Sequence, residues 1–94
     1  MAKAWLISDE AQQDIDDIIE NIVEYTSWTS TGIKLYSELY EKFELIASLP
    51  KCGRQRFDDT REIFTRSYRI VYKEFEDHIK IIAVIHARRL YPKR

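Results

Sequence analysis

The residues best suited to chemistry lie towards the C-terminal end. His86 can take up or release a proton near neutral pH, Arg66, Arg69 and Arg88 can hold a phosphate, and Tyr91 can stack on a base or donate a proton. A proton acceptor, a proton donor and cations are what cleavage of RNA by its own 2′-hydroxyl requires. Each residue also has a plainer reading. A histidine at the end of an apolar strand is first a packed or hydrogen-bonded structural residue, with catalysis the alternative. Arg88 and Arg89 form an adjacent pair of planar, multidentate groups suited to the acidic groups of a protein partner.

Other candidates point to binding rather than catalysis. Arg54 and Arg56 lie in the basic stretch Lys51-Cys52-Gly53-Arg54-Gln55-Arg56, which has neither helical nor alternating periodicity and reads as a loop. They are evenly divided between binding a partner and facing solvent. Trp28 falls in a hydroxyl-rich stretch, Tyr25 to Thr31, where an exposed indole can anchor a partner or cap a helical hairpin. Arg61 and Arg69 read as ion-pair partners of Glu62, Glu74 or helix carboxylates. Cys52 is the only cysteine and has no neighbouring histidine, so neither a disulfide nor a nucleophilic role is expected. One cysteine and two histidines give no metal-ligand spacing, and no metal or other cofactor is expected.

Positioning these groups takes about six elements. Ala4 to Ile7 reads as a short strand, followed by Ser8 as a helix N-cap with Asp9 and Glu10 at the positive end of the dipole. Ala11, Ile15, Ile18, Ile19 and Ile22 then follow helical spacing. Leu35, Tyr36, Leu39, Phe43 and Ile46 mark a second helix, running to about Ser48 and closed by Pro50. Three strands are expected at Arg61 to Arg66, Tyr68 to Phe75 and Ile79 to Ala87, the last two joined at Glu76-Asp77. The final strand is apolar on both faces, which predicts a central place in the sheet. Tyr36, Tyr40, Tyr68 and Tyr72 should pack the core with their hydroxyls at its edge, and Trp5 should lie on the buried side of its strand. The expected fold is α+β, ordered β-α-α-β-β-β, with a helical hairpin packed on an antiparallel sheet in a single domain over residues 1–94.

Charge divides the chain. Residues 1–50 carry Lys3, Lys34 and Lys42 against ten carboxylates, whereas residues 51–94 carry twelve Lys and Arg against six. Either an acidic helical layer and a basic sheet attract one another, or the basic surface receives an acidic partner or nucleic acid. The longest uncharged apolar run, Ile81 to Ile85, is too short to span a bilayer, and residues 1–8 lack the apolar core of a signal peptide. A cytoplasmic location is expected, with no membrane partner.

Four stretches resemble ParE-type toxins of the RelE/ParE toxin-antitoxin superfamily. Ile7-Ser8-Asp9-Glu10-Ala11 with Asp14-Ile15-Asp16-Asp17-Ile18 is similar to the family's opening. Phe43 to Pro50, continued by Gly53-Arg54, resembles its junction after the second helix. Arg61-Glu62-Ile63 followed by Tyr68-Arg69-Ile70-Val71-Tyr72 resembles its hairpin, and Val84-Ile85-His86-Ala87-Arg88-Arg89 its last strand. The resemblance implies a toxin neutralised by a cognate ParD-like antitoxin and, for the ParE branch, inhibition of DNA gyrase, with DNA met only indirectly through antitoxin or gyrase. On that reading no catalytic residues are expected, and Arg54, Arg56, Arg88, Arg89 and Trp28 serve binding. The superfamily's other branch implies a ribosome-dependent mRNA endoribonuclease using His86, Arg69, Arg88 and Tyr91. The near-neutral net charge and the His-Ala-Arg-Arg ending favour the gyrase branch.

Overall fold

Ser8 turns the chain from strand into helix, as its position predicts. Strand β1 (Ala4–Ile7) ends beside it, and its Oγ accepts from Ala11 N at 3.0 Å while its carbonyl accepts from Gln12 N at 2.9 Å. Helix α1 (Asp9–Thr26) follows, with Asp9 and Glu10 in its first turn. Helix α2 (Thr29–Ser48) packs back on it. The absence of a side chain at Gly32 brings the two helices together, since a Cβ there would stand 3.0 Å from Val23 Cγ2 and 3.1 Å from Ile19 Cγ2. The computed structural model describes residues 3–26, 29–56, 58–65 and 68–87, so Trp28 lies outside the described residues.

The remaining chain forms β2 (Arg54–Gln55), β3 (Arg61–Thr65), β4 (Tyr68–Glu74) and β5 (His78–His86), joined with β1 in one sheet of order β1-β5-β4-β3-β2. The expected α+β fold, a helical hairpin on a mostly antiparallel sheet, is present with two refinements. The sheet is only mostly antiparallel, because β1 runs parallel to β5, Ala4 to Ile7 pairing with His78 to Ile81. The basic stretch after Pro50 is not wholly a loop, because Arg54 and Gln55 pair with Glu62 and Arg61. Neither pairing leaves a local signal, since each depends on a partner strand remote in sequence or on a segment of two residues. The apolar final strand is interior, between β1 and β4.

Both helices cover one face. Ala11, Ile15, Leu35, Leu39, Phe43 and Ile46 meet Ile70, Tyr72, Ile79, Ile81 and Val84 in the main core. Trp5 packs at its margin between Tyr40 and Phe43, with ring centroids at 5.1 and 5.2 Å, and its Nε1 donates to Glu44 Oε1 at 3.2 Å. Tyr36 and Tyr40 join hydroxyls at 3.1 Å. Tyr72 is fully buried. Its hydroxyl donates to Pro50 O and accepts from Gly53 N, both at 2.8 Å, tying the end of the helical layer to the sheet. Gly53 must be glycine because a Cβ would stand 2.7 Å from the Tyr72 ring and 2.9 Å from Glu62 O.

Beyond Ile7 the outer edge of β5 has no strand beside it, and α1 takes over. Ser8 N donates to Ile81 O at 2.9 Å, Ser8 Oγ donates to Ile82 O at 2.9 Å, and the buried Asp14 carboxylate accepts from Val84 N at 3.0 Å.

Two outcomes follow. Asp14→Ala leaves the Val84 N–H without this acceptor and should lower unfolding free energy by about 1–3 kcal/mol in urea titrations, whereas Asp14→Asn, which keeps an acceptor oxygen, should lose less. Burial pushes the Tyr72 hydroxyl up to about 12 from its ordinary 10.0. A raised folded-state pKa gives stability that is complete below pH 10 and is lost as pH climbs towards 12. Thermal melts should fall across that window, and Tyr72→Phe should flatten the fall while costing about 1–2 kcal/mol at neutral pH.

Candidate functional site

Alternation along the strands divides the candidate residues between two faces. On the helical side, the row Thr65, Tyr68 and His86 crosses the sheet near its end. On the opposite face lie three rows: Phe64, Arg69 and Ile85; Arg54, Glu62, Val71 and Ala83; and Lys73, Lys80 and Leu6. No described helix packs on this second face. Val71, Ala83 and Ile85 form a small buried cluster there, while Leu6 and Phe64 are 56% and 46% exposed.

Glu62 is the electrostatic centre of this second face. Its Oε1 accepts from Arg56 Nη1 at 2.8 Å and stands 3.6 Å from Arg69 Nη1. The three side chains retain only 9%, 8% and 12% of their surface for Glu62, Arg56 and Arg69. Arg56 also reaches Asp58 at 3.4 Å. Thr60 holds Asp58 through its hydroxyl and backbone N–H. That hydroxyl, with Arg56 adding to it, keeps the Asp58 carboxyl below its usual range. Asp59 completes the bend at φ 71°, a left-handed conformation that aspartate tolerates better than most residues. Glu74, at the other end of β4, is likewise lowered by Lys3 and then Lys51, at 2.9 and 3.1 Å.

The candidates therefore separate. Arg54 is exposed at the sheet edge and available to a partner. Arg56, expected to bind or to face solvent, is turned inward, because the register sets Glu62 within its reach. Arg69 pairs with Glu62 as expected. Among the described residues Arg61 meets no carboxylate; it donates to Gly53 O at 2.8 Å and, more weakly, to Lys51 O at 3.5 Å. His86 is exposed rather than packed within the core, its ring edge-on to Tyr68 at 6.0 Å between centroids. It stands on the face opposite Arg69. Arg66, Arg88, Arg89 and Tyr91 lie outside the described residues. Glu62 was expected to meet Arg69 but not Arg56, and Asp58 was missed. Their only sequence signal is a carboxylate within a basic segment, which does not say which arginine it meets.

Among the described residues no group of three or more His, Cys, Asp or Glu converges as metal ligands would, and no helix is long and apolar enough to cross a membrane. Cys52 is a free, exposed thiol.

A model of the family described as the ParE toxin of the type II toxin-antitoxin system parDE matches residues 6–91. The chain belongs to the ParE toxin family. Solved structures share the fold of this ParE-family chain. A chain of the chromosomal ParDE system of P. aeruginosa superposes with a TM-score of 0.76 at 12% identity, covering 90% of this chain and 96% of that one. A chain of the RelBE2 toxin-antitoxin complex of Mycobacterium tuberculosis gives 0.60 at 15% identity, covering 92% and 99%. No curated protein sequence matches. The ParE assignment thus rests on the family model, and the structural likeness carries the fold.

The lowered Asp58 carboxyl sets an acid-side expectation. Its contribution is complete above the usual carboxylate range and is lost as pH falls through the lower folded-state value. Stability measured by denaturant titration should decline below about pH 4, and Asp58→Asn should make that decline shallower.

Proposed function

We propose that this ParE-family toxin acts by binding rather than by catalysis, holding DNA gyrase in a DNA-cleaved state, and that a cognate ParD-like antitoxin silences it by folding onto its surface. One observation carries the choice of branch: His86 and Arg69 lie on opposite faces of the sheet. An endoribonuclease needs its proton-transfer group and its phosphate-holding cation on one side of the scissile bond, within about one hydrogen-bond length of the reacting atoms. Here the sheet separates them, and the Arg69 guanidinium faces Glu62. Arg54 at the sheet edge, with Arg88, Arg89 and Trp28, remains the binding set in this reading. It acts in the cytoplasm and uses neither metal nor organic cofactor.

The ribosome-dependent endoribonuclease is the second reading, favoured by the exposure of His86 beside Tyr68. Purified toxin should increase gyrase-linked double-strand breaks in supercoiled plasmid while leaving ribosome-bound mRNA intact. His86→Gln should retain that activity within about twofold, since a residue outside the chemistry contributes little to it, whereas loss of a true general base costs roughly 100-fold or more. Cleaved mRNA, with gyrase unaffected, would reverse the assignment.

A further inference from the structure

The second face is closed in its middle and exposed at one end. Val71, Ala83 and Ile85 are buried there, whereas at the β4–β5 hairpin the alternation of both strands brings Lys73 and Phe75 beside Lys80 and His78. β1 adds Leu6 opposite Lys80 and Ala4 opposite His78. Lys80 and Ala4 are exposed, as are Leu6 and Phe75.

Two features of this end have no explanation within the fold. Lys73 and Lys80 face one another directly across the β4–β5 ladder. Like charges so placed destabilise a sheet. Among the described residues neither lysine is paired with a carboxylate. Glu74 belongs to the helical side, where Lys3 and Lys51 hold it, and Asp77 is engaged by His78 Nδ1 at 2.7 Å. The second feature is a pair of rings. Phe75 and His78 lie parallel within 9°, their centroids 4.7 Å apart, and Lys73 Nζ stands 5.3 Å from the Phe75 centroid.

We propose that this end of the sheet binds single-stranded nucleic acid, Lys73 and Lys80 meeting adjacent backbone phosphates while the Phe75–His78 pair stacks on a neighbouring base. Negative charge brought to the two ammonium groups removes their repulsion, and stacking on aromatic side chains accepts any base. The inference goes beyond the gyrase reading and does not lean on it, since the contact belongs to the toxin alone. His86, at the far end of β5, takes no part.

The carboxylates of the turn, Glu76 and Asp77, oppose every anion alike, so the rings decide between ligands. An acidic peptide would satisfy the lysines but leave the ring pair without a flat partner. In a duplex the bases are stacked on one another and offer no free face. An anionic bilayer calls for more apolar surface than Leu6 and Phe75 supply.

Fluorescence anisotropy of the purified whole toxin with a labelled oligothymidylate tests this. Affinity should fall with rising salt at a log–log slope of about −1.4, the value for two neutralised phosphates on a single strand. The double variant Lys73→Gln/Lys80→Gln should flatten that slope towards zero and weaken low-salt binding about tenfold or more. It should melt no lower than wild type, because the opposed charges are gone, so unfolding does not account for the loss. Phe75→Leu keeps apolar bulk without the ring, and should weaken binding about fivefold or more while leaving the slope unchanged. Undiminished binding by the double variant, or a duplex of the same length binding as tightly as the single strand, overturns the proposal. Tighter binding to polyglutamate or to phosphatidylserine vesicles overturns it in favour of an acidic peptide or a membrane. Absence of oligonucleotide binding by the wild-type toxin overturns it and leaves the gyrase reading standing, since that is read from DNA breaks in the presence of gyrase.

Discussion

The fold turns on the outer edge of β5. β1 pairs with only the first part of that strand, His78 to Ile81, and leaves the following carbonyl and N–H groups at an open sheet edge. Unpaired edges invite pairing with another chain, and unpaired buried groups are costly. Ser8 and Asp14 answer both needs, the serine bonding Ile81 and Ile82 and the aspartate bonding Val84 N. The start of α1 is thereby fastened to the sheet by directional bonds as well as by packing. A helix docked by apolar contact alone can slide; one docked by three hydrogen bonds cannot do so without losing them.

With the helices fastened to one face, the character of the other is settled. The division of charge along the sequence becomes a division in space, but the two sets do not neutralise each other at close range. Asp16, Asp17, Glu20 and Glu24 are exposed on the side of α1 away from the core. Arg54, Lys73 and Lys80 project from the far side of the sheet. A full core layer lies between them, a distance at which salt screens much of the attraction between exposed charges. Attraction across the fold therefore leaves most of the asymmetry unexplained.

Much of this architecture was legible beforehand because its signals are local. Ser8 before two acids marks a helix start, Pro50 a stop, and Glu76-Asp77 between runs of Ile, Val and Tyr a hairpin, each written within a few neighbouring residues. The helical stripes and the doubly apolar final strand likewise report their own burial. The misreadings share an opposite cause. The parallel pairing of β1 joins residues more than seventy positions apart. The two-residue strand at Arg54–Gln55 is too short to show alternation.

The arginines show where the boundary falls. By itself the sequence determined that the second half of the chain would be a basic sheet, in which order its strands would come, and which family it resembled, since composition, alternation and motif spacing are all properties of neighbouring residues. Tertiary structure alone decided that Arg56 would be drawn inward to share Glu62 with Arg69, that Arg54 would stay exposed, and that His86 would take the face opposite Arg69. The fate of a guanidinium depends on the carboxylate that strand register brings beside it, and shifting a strand by one residue would have exchanged the faces of all its side chains.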